Sequence, residues 1–145
     1  MKTKSVKKYD EKISTFIFNL RNKIYVRKNS LNRKKIKYKD HKVWLKNFFK
    51  KKNTLYLILN HKKIIGYIRL ELKKNVYDTS WALEKKYQRK GITKKYLKLA
   101  TNKKKLVYMA KIKKNNFASI KVAHYAKFRL KIIRNKICYL YKNKF

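Results

Sequence analysis

KKYQRKGITKKYLKLAT, residues 85 to 101, decides how the rest of the chain is read. Within it Ile92, Tyr96, Leu99 and Ala100 recur at helical spacing, which predicts a helix from near Gly91 to near Asn102. The stretch before it, VYDTSWAL at residues 76 to 83, alternates instead, with Tyr77, Trp81 and Leu83 on one side of an extended strand. The stretch after it, LVYMAKI at residues 106 to 112, is a short apolar run suited to a buried central strand. A strand, a helix and a strand in that order make the crossover that joins parallel neighbours.

Working outward, TLYLILN (54 to 60) and KIIGYIRLEL (63 to 72) meet at Asn60 and His61 and predict a β-hairpin. Asp10 is placed to cap a helix that runs to about Arg21, with Ile13, Phe16, Ile17 and Leu20 on one face. Asp40 is placed to cap a second helix, in which Trp44 and Phe48, and Leu45 and Phe49, lie four apart. Asn116 is placed to cap a third, roughly Phe117 to Lys127. Residues 132 to 141, interrupted at 134 to 136, end the chain as one or two strands. The expected fold class is α/β (α+β), one domain over residues 1–145, with N-terminal helices, an antiparallel start and a central crossover.

The composition limits the functional classes. No apolar run approaches the length that spans a bilayer, and the basic start lacks the apolar core of a signal peptide. A single cysteine, Cys138, allows no internal disulfide and fits a reducing, cytoplasmic setting. Three scattered histidines and one cysteine give no metal-ligand spacing, so no metal is expected. The net charge of +39 invites a nucleic-acid partner. However, 38 of the 45 basic residues are Lys, and Asn, Ile and Tyr, which share A/T-rich codons with Lys, are also plentiful. Gly and Pro, with G/C-rich codons, number two and zero. The lysines run through the whole chain, so compositional drift is the main reading of the charge. Nucleic-acid binding is then expected to be non-specific and salt-sensitive at most. A small basic RNA- or DNA-binding protein is the alternative, supported by charge and interleaved Tyr and Phe but by no nucleic-acid motif.

The chemistry sits in Gln88-Arg89-Lys90-Gly91-Ile92-Thr93. Backbone N–H groups at a helix start form an anion site, and glycine lets a phosphate approach the backbone. Arg89 and Lys90 add charge, and Lys94 extends the segment. The plain alternative is that Gly91 only turns the chain before a helix.

This segment resembles the acetyl-CoA loop of the GNAT superfamily of N-acetyltransferases, Gln/Arg-x-x-Gly-x-Gly/Ala. Gln88 and Gly91 match; Thr93 departs from the small final residue. Ala110 through Ser119 resembles the family's later motif, a strand followed by Asn-x-x-Ala/Ser and a helix, with Asn116 and Ser119 in the matching places, which the resemblance implies help hold the coenzyme or the parted strand end. The pair that usually closes that helix, Gly-Phe, is Lys127-Phe128 here. The resemblance implies acetyl-CoA as co-substrate, a primary amine as acceptor, and two central strands parting beside residues 88 to 93. It also implies a backbone N–H near Leu83 that polarises the thioester carbonyl. A non-catalytic relative that still binds coenzyme A is the reading left open by Thr93 and Lys127.

Leu20-Arg21-Asn22, Val26 to Ser30, His41-x-x-Trp44 and Ile65 to Arg69 resemble the branch that acetylates nucleotide-linked amino-deoxy-sugars, as in pseudaminic-acid-type pathways. That implies substrate contacts from Arg21, Arg27, His41, Trp44 and Arg69. Arg grips phosphate with two parallel hydrogen bonds, which Lys cannot. The plainer readings are solvated arginines, a surface His41 and a core Trp44. Of six acidic residues, Asp10, Glu11 and Asp40 occupy helix starts. Glu71, Asp78 and Glu84 lie on or beside the strands, and Glu71 and Glu84 are the candidates for the base. Many family members place an acidic Tyr five residues before the closing Phe, which here is Ala123. Tyr125 lies about 200° round the helix from it. Tyr125, Tyr108 or water remain as proton donors to the leaving thiolate.

Overall fold

The computed structural model describes residues 1–144. Thirteen elements follow in chain order. They are β1 (Lys2–Val6), α1 (Glu11–Arg21), α2 (Ile24–Arg27), α3 (Tyr38–Phe49), β2 (Thr54–Asn60), β3 (Lys63–Lys73) and β4 (Val76–Leu83). A 3-10 turn (Lys85–Tyr87) leads to α4 (Ile92–Ala100), β5 (Val107–Lys113), α5 (Phe117–Tyr125), β6 (Arg129–Arg134) and β7 (Ile137–Lys142).

The strands form one sheet in the order β1-β2-β3-β4-β5-β7-β6. Every neighbouring pair is antiparallel except β4 and β5, the pair joined by the crossover through α4. Each face of the sheet carries its own core. On one, Ile17, Leu20, Leu45 and Phe48 of α1 and α3 pack on Leu55, Leu57, Tyr67 and Ala82. On the other, Ile92, Tyr96, Leu97, Ala123 and Phe128 pack on Ile68, Leu70, Leu83, Tyr108, Ala110 and Ile112. Burying a side chain of this size stabilises by about 1.5–3 kcal/mol. The two cores therefore clamp β2, β3 and β4 from both sides.

Local chemistry explains most of these starts and stops. Asp10 caps α1 by accepting from the Ile13 N–H at 3.0 Å. Asp40 does not cap α3; the helix begins two residues earlier with Lys37 as its cap, and Asp40 lies in the first turn. A carboxylate there still meets the positive end of the helix dipole. Glu11 is also no cap. Its carboxylate accepts from the hydroxyls of Tyr9, at 2.7 Å, and Tyr38, and faces Lys42 Nζ at 3.6 Å, tying α1 to α3. The Tyr38 hydrogen bond is the main reason its pKa falls below the ordinary carboxylate value. In α4 the inward leucine is Leu97, while Leu99 points out at 53% exposure.

β1 and α2 go beyond the sequence expectation. β1 is held by its ladder with β2, from Lys2 opposite Leu59 to Val6 opposite Leu55, and only Val6 is buried. Backbone pairing of that kind leaves no hydrophobic period to read. α2 has four residues and buries none of them. At the other end, residues 129 to 142 form two strands, with β7 inserted between β5 and β6. Among the described residues no helix is long and apolar enough to cross a membrane.

Candidate active site

β4 and β5 are paired only at Val76 with Val107, Tyr77 with Tyr108 and Asp78 with Met109. Beyond that point β4 continues to Leu83 and β5 to Lys113 with no ladder between them. The two strands part in the middle of the sheet. The Glu84 N–H donates to the Ile65 carbonyl of β3 at 2.9 Å. Backbone groups alternate sides along a strand, so the N–H groups of Thr79, Trp81 and Leu83 point the other way, toward β5; the pairing of Asp78 with Met109 uses that of Thr79, and those of Trp81 and Leu83 face the gap. This pair is the donor set expected near Leu83, extended by Trp81, which sequence reasoning missed. The alternation of VYDTSWAL held the signal, but only the knowledge that β5 turns away makes it useful.

Gly66 is the second residue that was missed. A Cβ there would lie 2.6 Å from the Ala82 carbonyl oxygen and 2.8 Å from Leu83 Cδ1. Glycine lets β3 press against β4 at the level of Leu83. The Gln88 side chain fixes the same residue from the other side, donating from Nε2 to the Leu83 carbonyl at 3.1 Å.

The chain then turns through Arg89 (φ 62) and Gly91 (φ 75), both left-handed, and enters α4. Gly91 is the N-cap of α4 and supplies no side-chain hydrogen bond. The N–H groups of Ile92, Thr93 and Lys94 are thus left without a capping side chain. The first turn contains no acid and does contain Lys94, a cation at the positive end of the dipole. With Arg89 and Lys90 alongside, the local field favours an anion. Unpaired strand N–H groups and an uncapped, cationic helix start are the donors that a pantetheine amide and a pyrophosphate require.

Asn116 and Ser119 lie across the gap, at the start of α5. Asn116 caps that helix, accepting from the Ser119 N–H at 3.3 Å. The end of α5 closes with Phe128 N–H on the Ala123 carbonyl at 2.9 Å and Lys127 N–H on the His124 carbonyl at 3.0 Å. That is a Schellman closure, and Lys127 takes its left-handed position at φ 76. The glycine is absent in sequence, yet its conformation is kept. Ala123 is fully buried, so no phenol stands there. Tyr125 is 48% exposed and lies under Lys94 Nζ, 4.8 Å from the ring centre, and Lys98 Nζ, 5.4 Å away. Tyr108 sits where β4 and β5 are still paired, buried against Tyr77, and burial raises its pKa.

On the α1 side a cleft of about 450 Å³ is lined by Phe16, Leu20, Lys23, Tyr25, Glu84 and Lys85. Tyr25 closes it by accepting from the Lys85 N–H at 3.1 Å. Glu84 faces Lys63 Nζ at 3.6 Å. Glu71 is elsewhere: it pairs across from Asp78, six residues before Glu84 on β4, or about 20 Å along the strand. The two candidate bases cannot serve one amine. Asp78 is held by Lys73 at 3.3 Å and Lys111 at 3.9 Å.

Four of the five expected substrate residues gather between α1, α3 and β3. The Arg69 guanidinium lies 5.1 Å from the Trp44 ring centre, and Trp44 lies 5.7 Å from the His41 ring. Burial lowers the Arg21 pKa, and the neighbouring charges of Arg69 and Glu71 act on it in opposite directions. Arg69 Nε is buried without a hydrogen-bond partner. His41 is no surface residue. It is buried, with Nε2 3.0 Å from the Ser14 carbonyl oxygen, and burial depresses its pKa. Arg27 is not in this group; its Nη1 donates to the Arg33 carbonyl at 3.5 Å.

A family model described as the acetyltransferase (GNAT) family matches residues 16–128. No curated protein sequence matches. Solved structures do, at low identity. The chain is similar to a ribosomal-protein-alanine N-acetyltransferase from Brucella melitensis (TM-score 0.78, 14% identity, 98% of this chain and 99% of that one). It is also similar to spermidine N-acetyltransferase from Vibrio cholerae in complex with CoA and spermine (TM-score 0.78, 12% identity, 97% and 94%). An aminoglycoside acetyltransferase in complex with coenzyme A gives a TM-score of 0.75 at 13% identity, over 97% and 94%.

Proposed function

We propose, for a chain that belongs to the acetyltransferase (GNAT) family and is thereby an acetyl-CoA-dependent N-acetyltransferase, that its acceptor is the primary amine of a nucleotide-linked amino-deoxy-sugar. The parting of β4 from β5 beside residues 88 to 93 carries the acetyl-CoA site. Acetyl-CoA supplies an activated thioester. The backbone of Arg89 to Lys94 takes the pyrophosphate, and the N–H of Leu83 polarises the carbonyl as an oxyanion donor. Asn116 and Ser119 fix the start of α5 at the far side of the gap. Glu84, at the cleft, receives the proton of the acceptor ammonium, and no dedicated side chain protonates the thiolate. Arg21 and Arg69 favour an anionic acceptor: two partly buried guanidiniums, one with a free Nε, suit a phosphate.

The test compares acceptors directly. A nucleotide-linked amino-sugar, spermine and a short peptide amine are each supplied with acetyl-CoA, and free coenzyme A is measured. The nucleotide-linked amine is expected to react at least tenfold faster than the others. Arg69→Met is expected to raise its KM while leaving kcat near the parent value. Reaction of spermine or peptide with none of the sugar removes the acceptor assignment. Glu84→Gln is expected to slow turnover by about 10²–10⁴. An unchanged rate removes Glu84 as base.

A further inference from the structure

A second primary amine stands at the same gap. Counting on from Asp78 opposite Met109 puts Lys113 level with Ala82, next to Leu83. Tyr108, Ala110 and Ile112 fill the core under α4 and α5. Side chains alternate along a strand, so Lys113 stands on the opposite face, the face of the acceptor cleft. Its Nζ donates to the Lys28 carbonyl at 3.0 Å, bridging the end of β5 to the turn after α2. None of the ion pairs among the described residues includes it. Burial, then the charge of Arg33, holds its ammonium below the ordinary lysine value. Lys113 thus differs from a solvated surface lysine in place, in partner and in proton affinity.

We propose that Lys113 is an internal acceptor, acetylated on Nζ by the chain that carries it. This rests on the reading of the parted strands as the acetyl-CoA site. The neutral amine attacks the acetyl carbonyl carbon. A C–N bond forms and the C–S bond breaks, with its electron pair leaving on sulfur. The amine proton passes to solvent, and the thiolate takes one from solvent. The products are Nε-acetyl-Lys113 and coenzyme A. One positive charge is lost at the cleft, while the amide N–H can still donate to Lys28.

The experiment incubates the purified chain with acetyl-CoA and follows each lysine by peptide mass spectrometry, beside calorimetric binding of acetyl-CoA. Lys113 is expected to gain its acetyl group at least tenfold faster than the median lysine, at a per-molecule rate that does not change on dilution. In Lys113→Arg the fast phase is absent. A separate readout uses no acetyl-CoA: under trace acetic anhydride, Lys113 is expected among the most rapidly labelled lysines. Normal acetyl-CoA binding with acetyl groups spread evenly, a rate that rises with protein concentration, or Lys113 among the slowest labelled residues overturns self-acetylation alone. Absence of acetyl-CoA binding overturns the underlying site as well.

Discussion

α4 and α5 both start beside the mouth of the parted strands, yet their first turns are opposites. α5 satisfies its own start: Asn116 caps it through the Ser119 N–H. α4 does not. Its cap is Gly91, its first turn contains Lys94, and no side chain reaches its N–H groups. Glycine costs a helix start only a few tenths of a kcal/mol against a polar cap, so the contrast lies in charge: α4 places a lysine and no acid in its first turn. On the function proposed above, the anion belongs to α4 and α5 serves as framework.

The largest expected effect is at Gly91. The space there is open except for Lys94 Cε at 3.1 Å, but φ is +75. Gly91→Trp places an indole where the phosphate approaches and is expected to weaken acetyl-CoA binding by on the order of a hundredfold, or about 2.7 kcal/mol. The backbone penalty is about 1–2 kcal/mol, so the fold should persist. Calorimetry with parent-like affinity in this variant would move the site away from α4.

Lys94→Glu sharpens the contrast, because its two effects have opposite signs. An acid in the first turn gains about 0.3–1 kcal/mol from the dipole, so thermal stability should rise slightly. The same acid repels a pyrophosphate, and affinity should fall about tenfold (1.4 kcal/mol). Stability and affinity rising together would show that no anion binds there. Asn116→Ala should do the reverse. It should lose about 1 kcal/mol of stability with little change in acetyl-CoA affinity. A large affinity loss with stability intact would make Asn116 a direct ligand.

The contrast was half legible in sequence. The loop, both helix starts and the central strands follow from Gly91, Asn116 and the alternation of VYDTSWAL, all local signals. Only the resemblance of the loop implied the parting of β4 and β5; it follows from no local signal, because a ladder that stops at Asp78 is a matter of where two distant segments meet. The same holds for Gly66, whose close approach to Ala82 exists only across the β3–β4 pair. In a chain with two glycines, both border this strand–loop unit, one beneath Leu83 and one at the start of α4. Lys127 failed as a signal for a different reason. The Schellman closure needs a conformation, and glycine adopts it most easily, but Lys takes it here at some cost. β1 was invisible because backbone pairing, with one buried side chain, holds it.

The smallest expected effect tests how completely α5 is framework. Tyr125 is its last residue and the only tyrosine in it. Were Tyr125 the acid that protonates the leaving thiolate, α5 would contribute chemistry as well as structure. Its position argues against that. The ring lies against Lys94 and Lys98 of α4 and is half exposed, while the helix face turned to the core presents Ala123. A shift of α5 that brought Tyr125 round would have to undo the Schellman bonds from Phe128 and Lys127. Tyr125→Phe keeps an aromatic face for both lysines and removes only the hydroxyl. Turnover should therefore change by much less than tenfold, and acetyl-CoA affinity should hardly move. General acid catalysis contributes about 10²–10⁴ in rate, so the two cases are well separated. A loss of about a hundredfold in kcat, with acetyl-CoA affinity unchanged, would make Tyr125 the acid. α5 would then have to open its C-terminal closure during turnover.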